Sequence, residues 1–241
     1  MNAKEQNDIY ISLLKNVRTK LWKYSTGSGA RVAVLDTGLN IEHPYFDTNK
    51  IIINKETVGA CTTQVSPWND EITNDFNDDH GHGTHVSSVI CGFPTNLEVK
   101  YYEDWEEETM HGVAPEATLI PVKVLGASGS GSIPSIVAGI EWCIDNKIDI
   151  INMSLGTNQY SSSMHAAIQK AASAGIIIVC ASGNDHSILA SGETIDYPAN
   201  LSEVIAVGAI NLHTDDRAVF SSVGKELDLV APGVDIPFKS Y

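Results

Sequence analysis

Short runs of almost wholly apolar, often β-branched residues alternate along this chain with stretches of helical periodicity. Arg31-Val-Ala-Val-Leu35 leads into Asp36. Thr118 to Val124, Ile148 to Met153, Ile176 to Ala181 and Val204 to Val207 follow, with a shorter run from Leu227 to Val230. A strand without polar alternation buries both faces, and such strands belong to parallel sheets whose crossover helices cover each side. The intervening stretches supply the helices. Ile133, Ile136, Val137, Ile140 and Ile144 share one face at i, i+3, i+4, i+7 and i+11. Ser162 to Ala174 is a second helix, ended by Gly175, and His82 to Cys91 starts a third after a Gly-rich turn. The predicted architecture is α/β, a parallel sheet covered by helices on both faces. No internal repeat or linker-like stretch divides the 241 residues, which favours one domain with a sizeable core.

Charge narrows the partners. A formal net charge of −15 opposes binding to nucleic-acid phosphates or to an anionic membrane surface. The first twenty residues mix charges from the start and lack the apolar centre of a secretory signal, and no apolar run approaches a membrane span. Cys61, Cys91, Cys143 and Cys180 form no Cys-x-x-Cys pair and sit mostly in apolar patterns, as free thiols of a reducing compartment do. Together these features predict a cytoplasmic protein. Two acidic stretches interrupt the apolar pattern, one from Asp70 to Asp79 before His80, the other from Glu98 to Glu108. Both read as solvated loops. Calcium is the sharper reading, but neither stretch has the regular spacing of a calcium loop.

Three short motifs carry the chemistry: Asp36-Thr37-Gly38, His82-Gly83-Thr84-His85 and Ser182-Gly183-Asn184. In parallel α/β sheets, ligands gather at the carboxyl ends of the strands. Asp36, Ser154 and Asn184 each follow a predicted strand, so they share one edge. A buried Asp36 needs a partner, and an imidazole N–H supplies one. His82 lies between Gly81 and Gly83, which permit close backbone approach at a helix start. Asn184 can donate its amide to a developing oxyanion. Acid, base and oxyanion donor are the parts of serine hydrolysis other than the nucleophile. His80, His82 and His85 with Asp36 also have a spacing suited to zinc, a competing reading.

These motifs sit in longer runs: Val32 to Gly38, His82 to Val86, Gly112 to Pro115, Val122 to Leu125, Ile151 to Gly156, Ala181 to Asn184, Tyr197-Pro198, Val204 to Gly208 and Val230 to Gly233. In order and content they resemble the subtilases, the subtilisin-like serine proteases, and most of all the intracellular subtilisins. The resemblance implies that Asp36 orients the base, His82 is the general base and Asn184 the oxyanion donor. It implies that Ser154-Leu155-Gly156 and Gly129-Ser130-Gly131 are two backbone edges gripping an extended polypeptide substrate. Ala181-Ser182-Gly183 would line the main specificity pocket.

The sequence departs from the family pattern in three places. Tyr45 stands where a calcium-binding carboxylate is often found, and Glu98 to Glu108 replaces the usual calcium loop. No cofactor is expected for the chemistry, and a structural calcium has weak support. The Gly-Thr-Ser block that carries the nucleophile does not occur after Gly233, and Ser240 lies in Lys-Ser-Tyr. Ser130 and Ser182 belong to backbone segments with other implied roles. The expectation is a peptidase domain over residues 21–241 whose C-terminal part is missing, preceded by an extension or short pro-segment over residues 1–20. Such a chain is inactive alone, and a complementing C-terminal chain would restore it. A non-catalytic peptide-binding module is the alternative.

Overall fold

The computed structural model describes residues 3–43, 46, 76–92, 111–185 and 195–236, with side chains from residue 12 onward. The elements in chain order are α1 (Ala3–Lys20), β1 (Arg31–Asp36), α2 (His82–Cys91), β2 (Thr118–Lys123), α3 (Ile133–Asp145), β3 (Ile150–Met153), α4 (Ser162–Ser173), β4 (Ile177–Ala181), β5 (Ile205–Asn211), β6 (Asp216–Arg217) and β7 (Leu229–Pro232). Strands β2, β1, β3, β4 and β5 lie side by side and parallel, and β7 adds a further parallel pairing to β5. The two-residue β6 pairs antiparallel with β5 and was not expected from its polar sequence. Asp36 pairs with Lys123, and Met153 with Cys180, so the strand ends that carry the motifs fall on one edge.

The helices begin where side chains can satisfy their first N–H groups. Ser132 caps α3 by accepting from Ser135 N at 3.2 Å, with Pro134 in the first turn, and Ser161 caps α4 by accepting from Met164 N at 3.3 Å. Met164, Ala167, Ile168 and Ala171, at helical spacing, are buried on one face of α4. They join Ile136, Ile140 and Cys143 of α3 and Ala33, Leu35, Ile151 and Ile178 of the sheet in the main core. Each fully buried isoleucine here contributes about 1.5–3 kcal/mol relative to exposure.

Alternation within the strands shows how each face is covered. In β1, Ala33 and Leu35 enter the main core, while Val34 enters a second cluster with Leu119, Cys91 and the α2 residues Val86 and Ile90. Helices therefore lie on both faces, and β1 and β2 are buried on each side. Among the described residues the second face is covered less completely than the apolar strand sequences suggested. In β4, Ile178 and Cys180 are buried but Ile177 is 51% exposed. Among the described residues α2 packs chiefly on β1 and β2. Beyond them opens an apolar cavity of about 510 Å³, walled by α2, β5, β7 and Leu13, Leu14 and Val17 of α1.

Observed boundaries shift modestly from the predicted ones. The final strand starts at Leu229 instead of Leu227, because Leu227 N closes a turn onto Gly224 O and the Asp228 carboxylate accepts from Ala206 N at 2.9 Å. Cys91, Cys143 and Cys180 are buried, and burial pushes the Cys91 thiol up to about 12. Among the described residues no helix is long and apolar enough to cross a membrane. Cys61, Tyr45, Ser240 and the acidic residues 70–75 and 98–108 lie outside the described residues.

Candidate active site

Asp36 ends β1 with its side chain fully buried, and there it meets the first residue of α2. Its Oδ1 accepts from Thr37 N at 2.7 Å and from His82 Nδ1 at 2.7 Å. Its Oδ2 is buried with no hydrogen-bond partner among the described residues. A carboxylate can only accept, so the neutral imidazole carries its proton on Nδ1 and keeps the Nε2 lone pair. The hydrogen bond to Asp36 raises the pKa of His82 above its ordinary value, against the opposing effect of burial.

The approach of α2 to the loop after β1 requires two glycines. Gly38 adopts φ +112°, and a Cβ on Gly83 would overlap the Gly38 carbonyl oxygen. Gly81, at the helix N-cap, has no side chain to satisfy the first turn. Asp78 does so from outside the helix. It accepts from Gly81 N (2.8 Å), Thr84 N (2.9 Å), Thr84 Oγ1 (2.5 Å), His80 N (3.1 Å) and Thr37 Oγ1 (2.8 Å). These bonds hold its carboxyl below the usual range even though burial acts in the opposite direction. Asp78 thereby ties the base-bearing helix to the residue beside Asp36. Lys123, 2% exposed, completes the frame. Its ammonium donates to Thr37 O (2.7 Å), Asn77 O (3.0 Å) and Asp79 Oδ1 (2.5 Å).

Asp78 and Lys123 are the residues that sequence reasoning missed. Asp78 belongs to an acidic stretch that reads as a solvated loop, and the structure corrects this for Asp78, while Asp79 is exposed and bonded to Lys123. The available signal was a helix start at Gly81-His82 with no capping side chain of its own. For Lys123 the signal was a lone charge inside an apolar strand, which must find acceptors.

The proposed substrate segments fall into one neighbourhood. A cleft of about 540 Å³ is lined by His80, His82, Gly129, Ser130, Gly131, Ser154, Leu155 and Gly156. Ala181, Ser182, Gly183 and Asn184 line the adjoining apolar cavity, which His82 and Ser154 also border. Asn184 is exposed. Ser154 Oγ accepts from Asn152 Nδ2 at 3.0 Å, while the Ser182 hydroxyl is buried against Ser222 O at 3.4 Å. The zinc reading gathers no support, since His82 Nδ1 is engaged by Asp36 and His85 Nε2 lies 3.4 Å from Ile236 O. Among the described residues no group of three or more His, Cys, Asp or Glu side chains could hold a metal ion.

Comparison with known proteins bears on this geometry. The sequence profile of the Subtilase family matches residues 27–240. Subtilisin NAT of Bacillus subtilis subsp. natto is 40% identical over 211 residues, covering 88% of this chain and 48% of that protein. Subtilisin DY of Bacillus licheniformis is 37% identical over 226 residues, 94% of this chain and 72% of that protein. An intracellular serine protease of Paenibacillus polymyxa is 39% identical over 218 residues, 90% of this chain and 60% of that protein. The chain thus spans about half the length of several of the subtilisins it matches. A buried carboxylate bonded to an imidazole at the mouth of a cleft, together with a match over nearly the whole chain, places this protein in the subtilase family.

Proposed function

We propose that this chain supplies the acid, the base and the oxyanion donor of a subtilisin-type serine endopeptidase. The observation that carries the reading is the 2.7 Å bond from His82 Nδ1 to buried Asp36 at the wall of the substrate cleft. In this reading an extended polypeptide lies between Gly129–Gly131 and Ser154–Gly156. His82 Nε2 takes the proton of a serine hydroxyl as it attacks the scissile carbonyl, and the Asn184 amide donates to the oxyanion. The imidazolium, held by Asp36, returns the proton to the leaving amine. Water then hydrolyses the acyl-enzyme by the same relay. No cofactor is needed for these steps.

The serine is assigned to a complementing segment seated on the apolar face between α2 and β7, beside His82 and Asn184. Residues 1–20 are assigned as an extension or short pro-segment. The buried cysteines and the likeness to an intracellular serine protease support a cytoplasmic, intracellular-type enzyme. The test is to fuse the chain after Gly233 to the corresponding C-terminal segment of Subtilisin DY and add a fluorophosphonate probe. The fusion is expected to take the label and cleave a fluorogenic peptide, and His82→Ala to remove cleavage. The 241-residue chain alone is expected to take no label. Labelling of that chain, abolished by Ser240→Ala, would overturn the assignment of the nucleophile. Peptide binding by a fusion that neither labels nor cleaves would favour the peptide-binding module.

A further inference from the structure

Asp196 has no part in the relay just described, yet it sits between the two segments that frame the substrate side chain. It is a carboxylic acid only 9% exposed. Its backbone is pinned on both sides: Asp196 N donates to Ser182 O at 3.0 Å, and Asn200 N donates to Asp196 O at 2.8 Å. The next residue, Tyr197, exchanges two backbone bonds with Thr157, at 2.8 and 2.9 Å. The side chain is thereby held against Gly156 and Gly183. A Cβ on Gly156 would lie 2.9 Å from Asp196 Cβ and 3.1 Å from Oδ2, and one on Gly183 would overlap Oδ2. Only glycine leaves room for the carboxyl at these two places.

Gly156 closes the Ser154–Gly156 edge of the cleft, and Gly183 closes the Ala181–Gly183 wall. Tyr197 and Gly156 both line the cleft that contains His82. A side chain that enters between the two segments approaches the Asp196 carboxyl, which lies against both glycines. Asp185, two residues beyond Gly183, places a second one beside it. Among the described residues no lysine or arginine forms an ion pair with Asp196. Burial, then the charge and hydrogen bond of Asp185, raise the Asp196 carboxyl to about 6. Two carboxyls crowded together without a counter-ion favour an entering cation, which relieves their repulsion and donates hydrogen bonds to them.

We infer that Asp196 is a specificity-determining residue, selecting polypeptides that present lysine or arginine to the space between Gly156 and Gly183. The inference deepens the peptidase reading and rests on it. Binding to the intact 241-residue chain tests it without requiring the nucleophile. The probes are fluorescent tetrapeptide acids that differ only in the last residue, Lys, Arg, Gln or Leu, read by anisotropy at physiological ionic strength. Lys and Arg peptides are expected to bind about tenfold or more tighter than Gln, as one charge-assisted hydrogen bond warrants. Asp196→Asn, close to isosteric, is expected to bring that preference within about twofold, with an unchanged circular dichroism spectrum.

The overall charge of −15 attracts basic peptides without any pocket, so Glu141→Gln, an exposed acid on α3, serves as the control. It is expected to leave the preference intact. Equal binding of all four peptides, or a preference that survives Asp196→Asn, overturns the role of Asp196 and leaves the peptide cleft standing. Failure of every peptide to bind overturns the cleft reading and this inference together.

Discussion

The bond between Asp36 and His82 controls the proton that the proposed chemistry moves. Because Asp36 raises the pKa of His82, the folded chain holds that proton more tightly than the unfolded chain does. This contribution to stability is fully present below the ordinary histidine value of about 6.5 and is lost as pH rises through the higher folded value. Asp36→Asn removes the cause, so an NMR titration of the His82 ring should show its midpoint falling. An unchanged midpoint would show that the bond does not form in solution. Asp36 and His82 were legible in the sequence because each lies inside a compact local motif after a strand or at a helix start. Asp78 was not, because an aspartate in an acidic loop looks the same whether its carboxylate faces water or a helix terminus. Its five hydrogen bonds predict that Asp78→Ala destabilises the fold by about 1–2 kcal/mol in urea unfolding, the usual cost of a lost cap. A change within error would return Asp78 to the solvated class.

Helix α2 shows how an element can be placed by residues outside it. Its apolar residues Val86 and Ile90 pack on the face of β1 and β2, but its start is set by Asp78 and by the close contact of Gly83 with Gly38. Gly83→Ala forces a methyl group into backbone that cannot retreat, and overpacking of this kind costs about 1–3 kcal/mol. Its effect should also reach the site: α2 must move outward, so the raised titration of His82 should be lost along with the stability. A variant as stable as the parent, with His82 unperturbed, would show that the contact is looser than described. The existence and order of α2, α3 and α4 could be read from their periodicity and Gly or Ser boundaries. The ends of β3, β5 and β7 could not be read to the residue, because ladder pairing with neighbours decides where a strand stops. Asp228, for example, spends its carboxylate on Ala206 N before β7 begins.

At the scale of the molecule, the two faces of the sheet differ. One carries α3, α4 and the main core, while among the described residues the other is covered by α2 over β1 and β2 and, over β5 and β7, holds the apolar cavity that α1 also walls. Exposed Phe220 lines that cavity together with Val207, Ala209 and Ile236. An apolar surface of this kind binds hydrophobic dyes or a partner. The 241-residue chain should therefore enhance the fluorescence of 8-anilinonaphthalene-1-sulfonate, and the fusion carrying the complementing segment should not. Equal fluorescence from both would mean that the segment does not seat on this face. The chain by itself determined the α/β class, the succession of strands and helices, and Asp36 and His82, because these depend on residues adjacent in sequence. Only the tertiary structure decided that Lys123 lies beside Asp36, that Asp78 caps α2, that Asp196 stands between Gly156 and Gly183, and that an apolar cavity lies between α2 and β7. Each of these depends on strand register and on contacts between distant segments, where a shift of one residue would exchange the two faces of the sheet.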